Sequence, residues 1–146
     1  MAATQKWITL VPIAASMAAC AAAPTREPAT VAFDARSHEI GLPVTVEGRS
    51  LTFLLDAAVD PSAIDASQAS TLGLKKTGEG GEVEGVGNEA AMAFPSSVPE
   101  IIIGGRDYGP IEVLVADLGK LRERYGAPMH GILGYSLIKD NAVLID

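Results

Sequence analysis

Asp56 is the residue of this chain best placed to do chemistry. The run FLLDAAVDPSAID, Phe53 to Asp65, ends an apolar stretch in that aspartate and follows it with Ala57 and Ala58. A carboxylate delivered into a turn of small residues can act as a general base or a general acid when its surroundings fix its position. Asp60 and Asp65 follow at intervals of four and five, a spacing that does not fit the alternating ligands of a calcium loop.

Other chemistries fall away. GVGNEA, Gly85 to Ala90, has the form G-x-G-x-x-A. It is acidic and no helical pattern follows it, so a dinucleotide phosphate would be repelled. Ser136 in GYSLI lacks the second glycine of a nucleophile elbow. The two histidines, His38 and His130, lie outside any H-E-x-x-H. His38 reads as a surface residue and His130 as a strand-edge residue. One cysteine excludes an intrachain disulfide and a cysteine zinc cluster, and no metal or cofactor is expected. A net charge of −7 argues against nucleic acid, which needs a basic face.

The cysteine bears on location. Lys6 precedes an apolar run, Ile8 to Ala19, that contains Pro12 and ends in SMAAC. The run is short for a membrane span and has the form of a signal-peptide core over residues 1–19. Cys20 after two small residues resembles a bacterial lipobox, with Met17 where leucine is more usual. Lipidation of Cys20 would tether the mature chain to the membrane of the cell envelope; plain cleavage and secretion is a second reading and an uncleaved anchor a third. Residues 20–36, with Pro24 and Pro28 among Ala and Thr, suit an extended tether, and residues 37–146 form the folded domain.

The elements that must position Asp56 read as short strands. IGLPVTV (Ile40 to Val46) and LTFLLD (Leu51 to Asp56), joined across Gly48, form a hairpin. Ala66 to Leu74 makes a short helix, with Asp65 as N-cap and Gly73 as its stop. GEGGEVEGVG, Gly78 to Gly87, is a glycine-rich acidic hairpin or mobile loop. AMAF, EIIIGG, GPIEVLVAD and the terminal NAVLID supply further strands. LGKLRERYG and GYSLI each supply a helical turn or so. Six or seven strands with little helix place the chain in the all-β class, as a sandwich or compact barrel.

The order of these parts resembles the retropepsin-like aspartic protease family, including its bacterial exported members. The resemblance runs from about Ile40 to Asp146 and implies a closed acid-protease barrel with one or two short helices and a flap hairpin. It puts the catalytic acid at Asp56, where the family motif D-[TS]-G stands as Asp56-Ala57-Ala58, with Asp60 at a second aspartate position. The flap falls on Gly80, Gly81, Val83, Gly85, Val86 and Gly87, and the apolar-apolar-Gly element on Ile132, Leu133 and Gly134. One acid loop per chain implies a homodimer with Asp56 of each copy on the two-fold axis. An extended peptide or protein segment would lie under the flap as substrate.

The departures lie at the centre of the site. The family hydroxyl after the acid bonds across the dimer axis, and Ala57 has none. Ala58 keeps the backbone N–H of the family glycine but adds a methyl group to a crowded turn, where a positive φ would strain it. Two functions follow on one scaffold. The first is an exported aspartic endopeptidase with a weakly braced dyad. The second is a catalytically inactive module that binds peptide or protein.

Overall fold

The structure is a computed structural model, and it describes residues 28–33, 39–84 and 90–145. The opening hairpin forms as its sequence requires. β1 (Gly41–Val46) pairs antiparallel with β2 (Arg49–Leu55), from Gly41 opposite Leu54 to Val46 opposite Arg49. Glu47 and Gly48 both take positive φ, 46° and 75°, the two-residue turn whose twist matches that of the strands.

The next elements are β3 (Ser62–Asp65) and α1 (Ala66–Leu72), then β4 (Gly81–Glu84) and β5 (Ala90–Val98). After them come β6 (Ile101–Ile103), β7 (Arg106–Asp107) and β8 (Ile111–Ala116). The last are α2 (Gly119–Tyr125), β9 (Gly131–Leu133) and α3 (Tyr135–Ile138). α1 begins and ends where capping chemistry puts it. Asp65 accepts the Ser67 N–H, and the left-handed Gly73, φ 68°, donates to the carbonyls of Ala69 and Ser70.

The nine strands form one sheet in the order β4-β5-β8-β3-β9-β2-β1-β6-β7. The all-β, retropepsin-like class holds, and the sheet curls like a barrel without hydrogen-bonding its two ends, β4 and β7, to each other. β9 is the strand that matters most for Asp56. It runs parallel to β2 (Phe53 opposite Gly131, Leu55 opposite Leu133) and antiparallel to β3 (Ala63 opposite Ile132). The last strand is thus threaded between the two that flank the acid loop. Gly131 permits this approach, since a Cβ there would lie 2.2 Å from the Phe53 ring.

Alternate residues of the central strands face opposite ways, as strand geometry demands. Phe53, Ile64, Val113, Val115 and Leu133 join one core, with Leu42, Val44, Val46 and Ile101. Leu54, Ala63, Ala116 and Ile132 join a second, with Leu118, Tyr125 and Met129. The strands at the centre of the sheet are therefore covered on both faces.

Several sequence expectations change. β3 and β7 were not anticipated. Among the described residues the three short helices fall on the three segments read as helical. Asn141 to Ile145 is not a strand, and Val143, Leu144 and Ile145 are exposed at 51%, 91% and 54%. An apolar segment becomes a strand only where a partner supplies hydrogen bonds, and among the described residues none does. Val31 and Phe33, within the span assigned to the tether, pack against the first core. The signal segment, Cys20 and His38 lie outside the described residues. Among the described residues no helix is long and apolar enough to cross a membrane.

Candidate active site

β2 stops at Leu55, and Asp56 turns out of the sheet at its end. The backbone there is tied on both sides. Leu55 N–H donates to the Ile40 carbonyl at 2.9 Å, and Asp56 N–H to the Leu133 carbonyl at 3.0 Å. The loop then closes on itself, with Val59 N–H donating to the Asp56 carbonyl at 3.2 Å. Asp56, Ala57, Ala58 and Asp60 are exposed and Val59 is half-buried. The Asp56 carboxyl is oriented by the loop: its Oδ1 accepts the Ala58 N–H at 2.9 Å.

Ala58 is easier in this turn than its sequence position suggests. Among the described residues Glu47 is the one non-glycine with positive φ. Ala57 and Ala58 therefore lie outside the left-handed region, and the expected strain of a methyl group at Ala58 is absent. The missing hydroxyl of Ala57 is the departure that remains.

Ile132, Leu133 and Gly134 lie beside the acid loop. Ile132 and Leu133 are buried on opposite faces of the sheet. Gly134 meets the loop with its backbone, since a Cβ there would stand 2.4 Å from the Val59 carbonyl oxygen and 3.1 Å from Ser62 N. Tyr135 N–H donates to the same Val59 carbonyl at 2.7 Å. Gly134 N–H donates to the Ser62 Oγ at 2.9 Å. Ser62, 1% exposed, was missed by sequence reasoning. A serine after a proline in a turn carries no local signal for a bond that spans 72 positions.

β4 and β5 form the base of the expected flap, pairing Gly81 with Ala93 and Glu84 with Ala90. Gly80 approaches β5 closely, and Val83 is half-buried against the second core. Gly85, Val86 and Gly87 lie outside the described residues. Met92 on β5 is 66% exposed.

Two further polar groups hold the frame. His130 precedes β9 and bonds twice to Thr52: its N–H donates to the Thr52 carbonyl at 2.8 Å, and its Nδ1 accepts the Thr52 N–H at 2.9 Å. An accepting Nδ1 places the ring proton on Nε2. His130 is therefore bound into the middle of the sheet, beside β2, rather than standing at a strand edge as expected.

Asp65 joins three elements. It caps α1, accepting the N–H of Ser67 at 3.0 Å and a short bond from the Ser67 hydroxyl. It also accepts the Leu118 N–H at 3.0 Å, just before α2. Arg122 lies 3.8 Å from the same carboxylate. Burial alone would raise its pKa; the bonds from Ser67 and Leu118 and the Arg122 charge outweigh it and hold the carboxyl below its usual range. Asp65 is a structural anion.

Among the described residues no group of three His, Cys, Asp or Glu side chains could hold a metal ion. The arrangement offers one exposed, backbone-oriented carboxylate, set in a loop fastened to the last strand.

Comparison with known proteins gives a consistent likeness. The family described as aspartyl protease matches residues 42–137. A retropepsin-like aspartic protease from Rickettsia conorii is 21% identical with a TM-score of 0.58, over 80% of this chain and 90% of that one. The EIAV protease, solved in complex with an inhibitor, is 23% identical with a TM-score of 0.56, over 79% of this chain and 100% of that one. At these identities the two structures speak for the fold. No curated protein matches the chain.

Proposed function

This chain belongs to the aspartyl protease family, and from that premise we propose that it is an aspartic endopeptidase that works as a homodimer on extended peptide segments. The observation that carries the proposal is the Asp56 loop. A single exposed carboxylate is oriented by Ala58 N–H at 2.9 Å and leaves the sheet where β9 is wedged between β2 and β3. One acid cannot both activate water and protonate a carbonyl oxygen. Two copies of Asp56, about 3 Å apart across a two-fold axis, could share one proton and divide these tasks. One carboxylate takes a proton from water as the water attacks the peptide carbonyl. The other gives a proton to the developing oxyanion.

Two features support the dimer. Asp56 is exposed on its own chain, so a second copy can reach it. Val143, Leu144 and Ile145 form a run of apolar side chains open to water, which a second copy would cover. The β4–β5 hairpin would lie over a bound peptide and add main-chain hydrogen bonds to it.

Ala57 supports the second reading, a binding module without turnover, because it offers no hydroxyl to brace the paired loops. Turnover of a mixed peptide pool from about pH 3 to pH 7 decides between them. The peptidase cleaves and Asp56→Asn does not. Cleavage that survives Asp56→Asn overturns the aspartic mechanism, and binding without cleavage by a demonstrated dimer favours the module.

Export and a lipid tether at Cys20 are part of the same proposal, supported by the apolar run that ends in SMAAC. The mature chain should lose residues 1–19 and fractionate with membrane. Equal membrane association and identical processing of Cys20→Ser would remove the anchor from the proposal.

A further inference from the structure

Among the described residues Ser62 is the one side chain seen to fasten the acid loop to the last strand, and we propose that it is a positioning residue for Asp56. The catalytic consequence rests on the peptidase reading above; the positional one does not.

Three bonds hold residues 56–62 to three consecutive residues of the chain's last third. Asp56 N–H donates to the Leu133 carbonyl at 3.0 Å, at the start of the loop. Tyr135 N–H donates to the Val59 carbonyl at 2.7 Å, at its middle. Gly134 N–H donates to the Ser62 Oγ at 2.9 Å, at its end. The first two join backbone to backbone and survive any substitution that leaves the chain's path unchanged. The third depends on a hydroxyl that is 1% exposed.

Gly134 is the hinge of the set. Its Cα packs so closely on the Val59 carbonyl that a Cβ would stand 2.4 Å from it. If the Ser62 hydroxyl is removed, the Gly134 N–H loses its acceptor in a buried place, a costly state that the backbone relieves by turning. A turn at Gly134 moves the neighbours on either side, the Leu133 carbonyl that holds Asp56 and the Tyr135 N–H that holds Val59. The displacement therefore reaches the Asp56 carboxylate through the backbone. Catalytic groups need placement to about half an ångström, and Ala57 brings no hydroxyl of its own to make up the loss. The stiffness of this acid loop comes from within the protomer.

The test compares the native chain with Ser62→Ala and Ser62→Cys, the second keeping the size with a weaker acceptor. Ser62→Ala should lower kcat by about tenfold to a hundredfold and leave KM within about twofold, with Ser62→Cys between. Amide exchange at Asp56, Gly134 and Tyr135 should quicken while Ile64 and Val115 keep their native rates. The amide signal of Ala58, which reports its bond to Asp56 Oδ1, should shift, with that of Leu118, bonded to Asp65, unmoved. Unchanged exchange at Gly134 and an unchanged Ala58 amide signal overturn the proposal. So does a rise in exchange that includes Ile64, with kcat following only the folded fraction. If the native chain cleaves nothing, the peptidase reading fails, and the exchange and amide-shift results still decide the role of Ser62.

Discussion

The Ala58 backbone N–H donates to Asp56 Oδ1 at 2.9 Å, from a residue whose φ is not positive. The glycine that D-[TS]-G would put at this position is therefore unnecessary: alanine makes the same bond in the same turn without backbone strain. The two departures at the acid loop have unequal weight, and the unequal one is Ala57.

Ala57→Thr alone should then raise peptide turnover, by about tenfold for one recovered hydrogen bond across the axis of the proposed dimer. Ala58→Gly alone should give no gain and cost about 0.5–1 kcal/mol of stability, because glycine frees the unfolded chain. Turnover and urea unfolding of the two single variants separate these effects. A gain from Ala58→Gly equal to that from Ala57→Thr would mean that the turn is strained after all.

Gly131 and Gly134 are both closed to a side chain, for different reasons. A Cβ on Gly131 would stand 2.2 Å from the Phe53 ring, and one on Gly134 would stand 2.4 Å from the Val59 carbonyl oxygen. Phe53 is 1% exposed and has nowhere to swing. Gly131→Ala should cost about 1–3 kcal/mol, and Phe53→Leu in the same chain should recover part of it, a coupling of at least about 0.5 kcal/mol in a double-mutant cycle. Gly134→Ala should be rescued by no side-chain change, since backbone blocks it. Additive costs for Gly131→Ala and Phe53→Leu would refute the contact.

Asp65 makes stability depend on pH in a definite direction. Its folded pKa lies below the ordinary 3.8. The ionised carboxylate thus adds stability that is present above that ordinary value and is lost as pH falls through the lower, folded one. Asp65→Asn should cost about 1.5–3 kcal/mol at pH 7, the range for hydrogen bonds to a charged group. The gap to the native chain should narrow as pH falls below 3.8. Arg122→Gln should cost under about 1 kcal/mol, because the half-exposed guanidinium is 3.8 Å away. Urea midpoints of the three proteins at pH 7 and pH 3 check the sign; a gap that widens towards low pH would reverse it.

What was legible in the sequence was local. The β1–β2 hairpin follows from alternation around Gly48, and α1 from Asp65 and Gly73, residues whose capping roles depend only on near neighbours. The acid at Asp56 and the element Ile132 to Gly134 could be picked out by their order. Their joining could not, because the Gly131–Phe53 contact and the Ser62–Gly134 bond are made by residues more than seventy positions apart. β3 was invisible for a related reason. Ser62 to Asp65 is covered on both faces, so it shows no polar-apolar alternation, and two of its four residues are polar. Asp65 gave away its helix cap but not its bond to Leu118, which comes from another part of the chain.

The terminal run shows the opposite failure, a strand signal without a strand. Val143, Leu144 and Ile145 have the composition of a buried strand, yet Leu144 is 91% exposed. Burying a leucine removes about 1.5–3 kcal/mol of unfavourable hydration, and in a symmetric dimer each substitution counts twice. If a second copy covers this run, Leu144→Lys should weaken dimerisation by about a hundredfold or more, without lowering the stability of the monomer, where Leu144 touches little. Sedimentation across a concentration series reads the first quantity and urea unfolding at low concentration the second. In the proposed dimer half of the acid pair belongs to each copy, so turnover should fall with the dimer and return at high protein concentration. A dimer indifferent to Leu144→Lys places the interface elsewhere on the molecule.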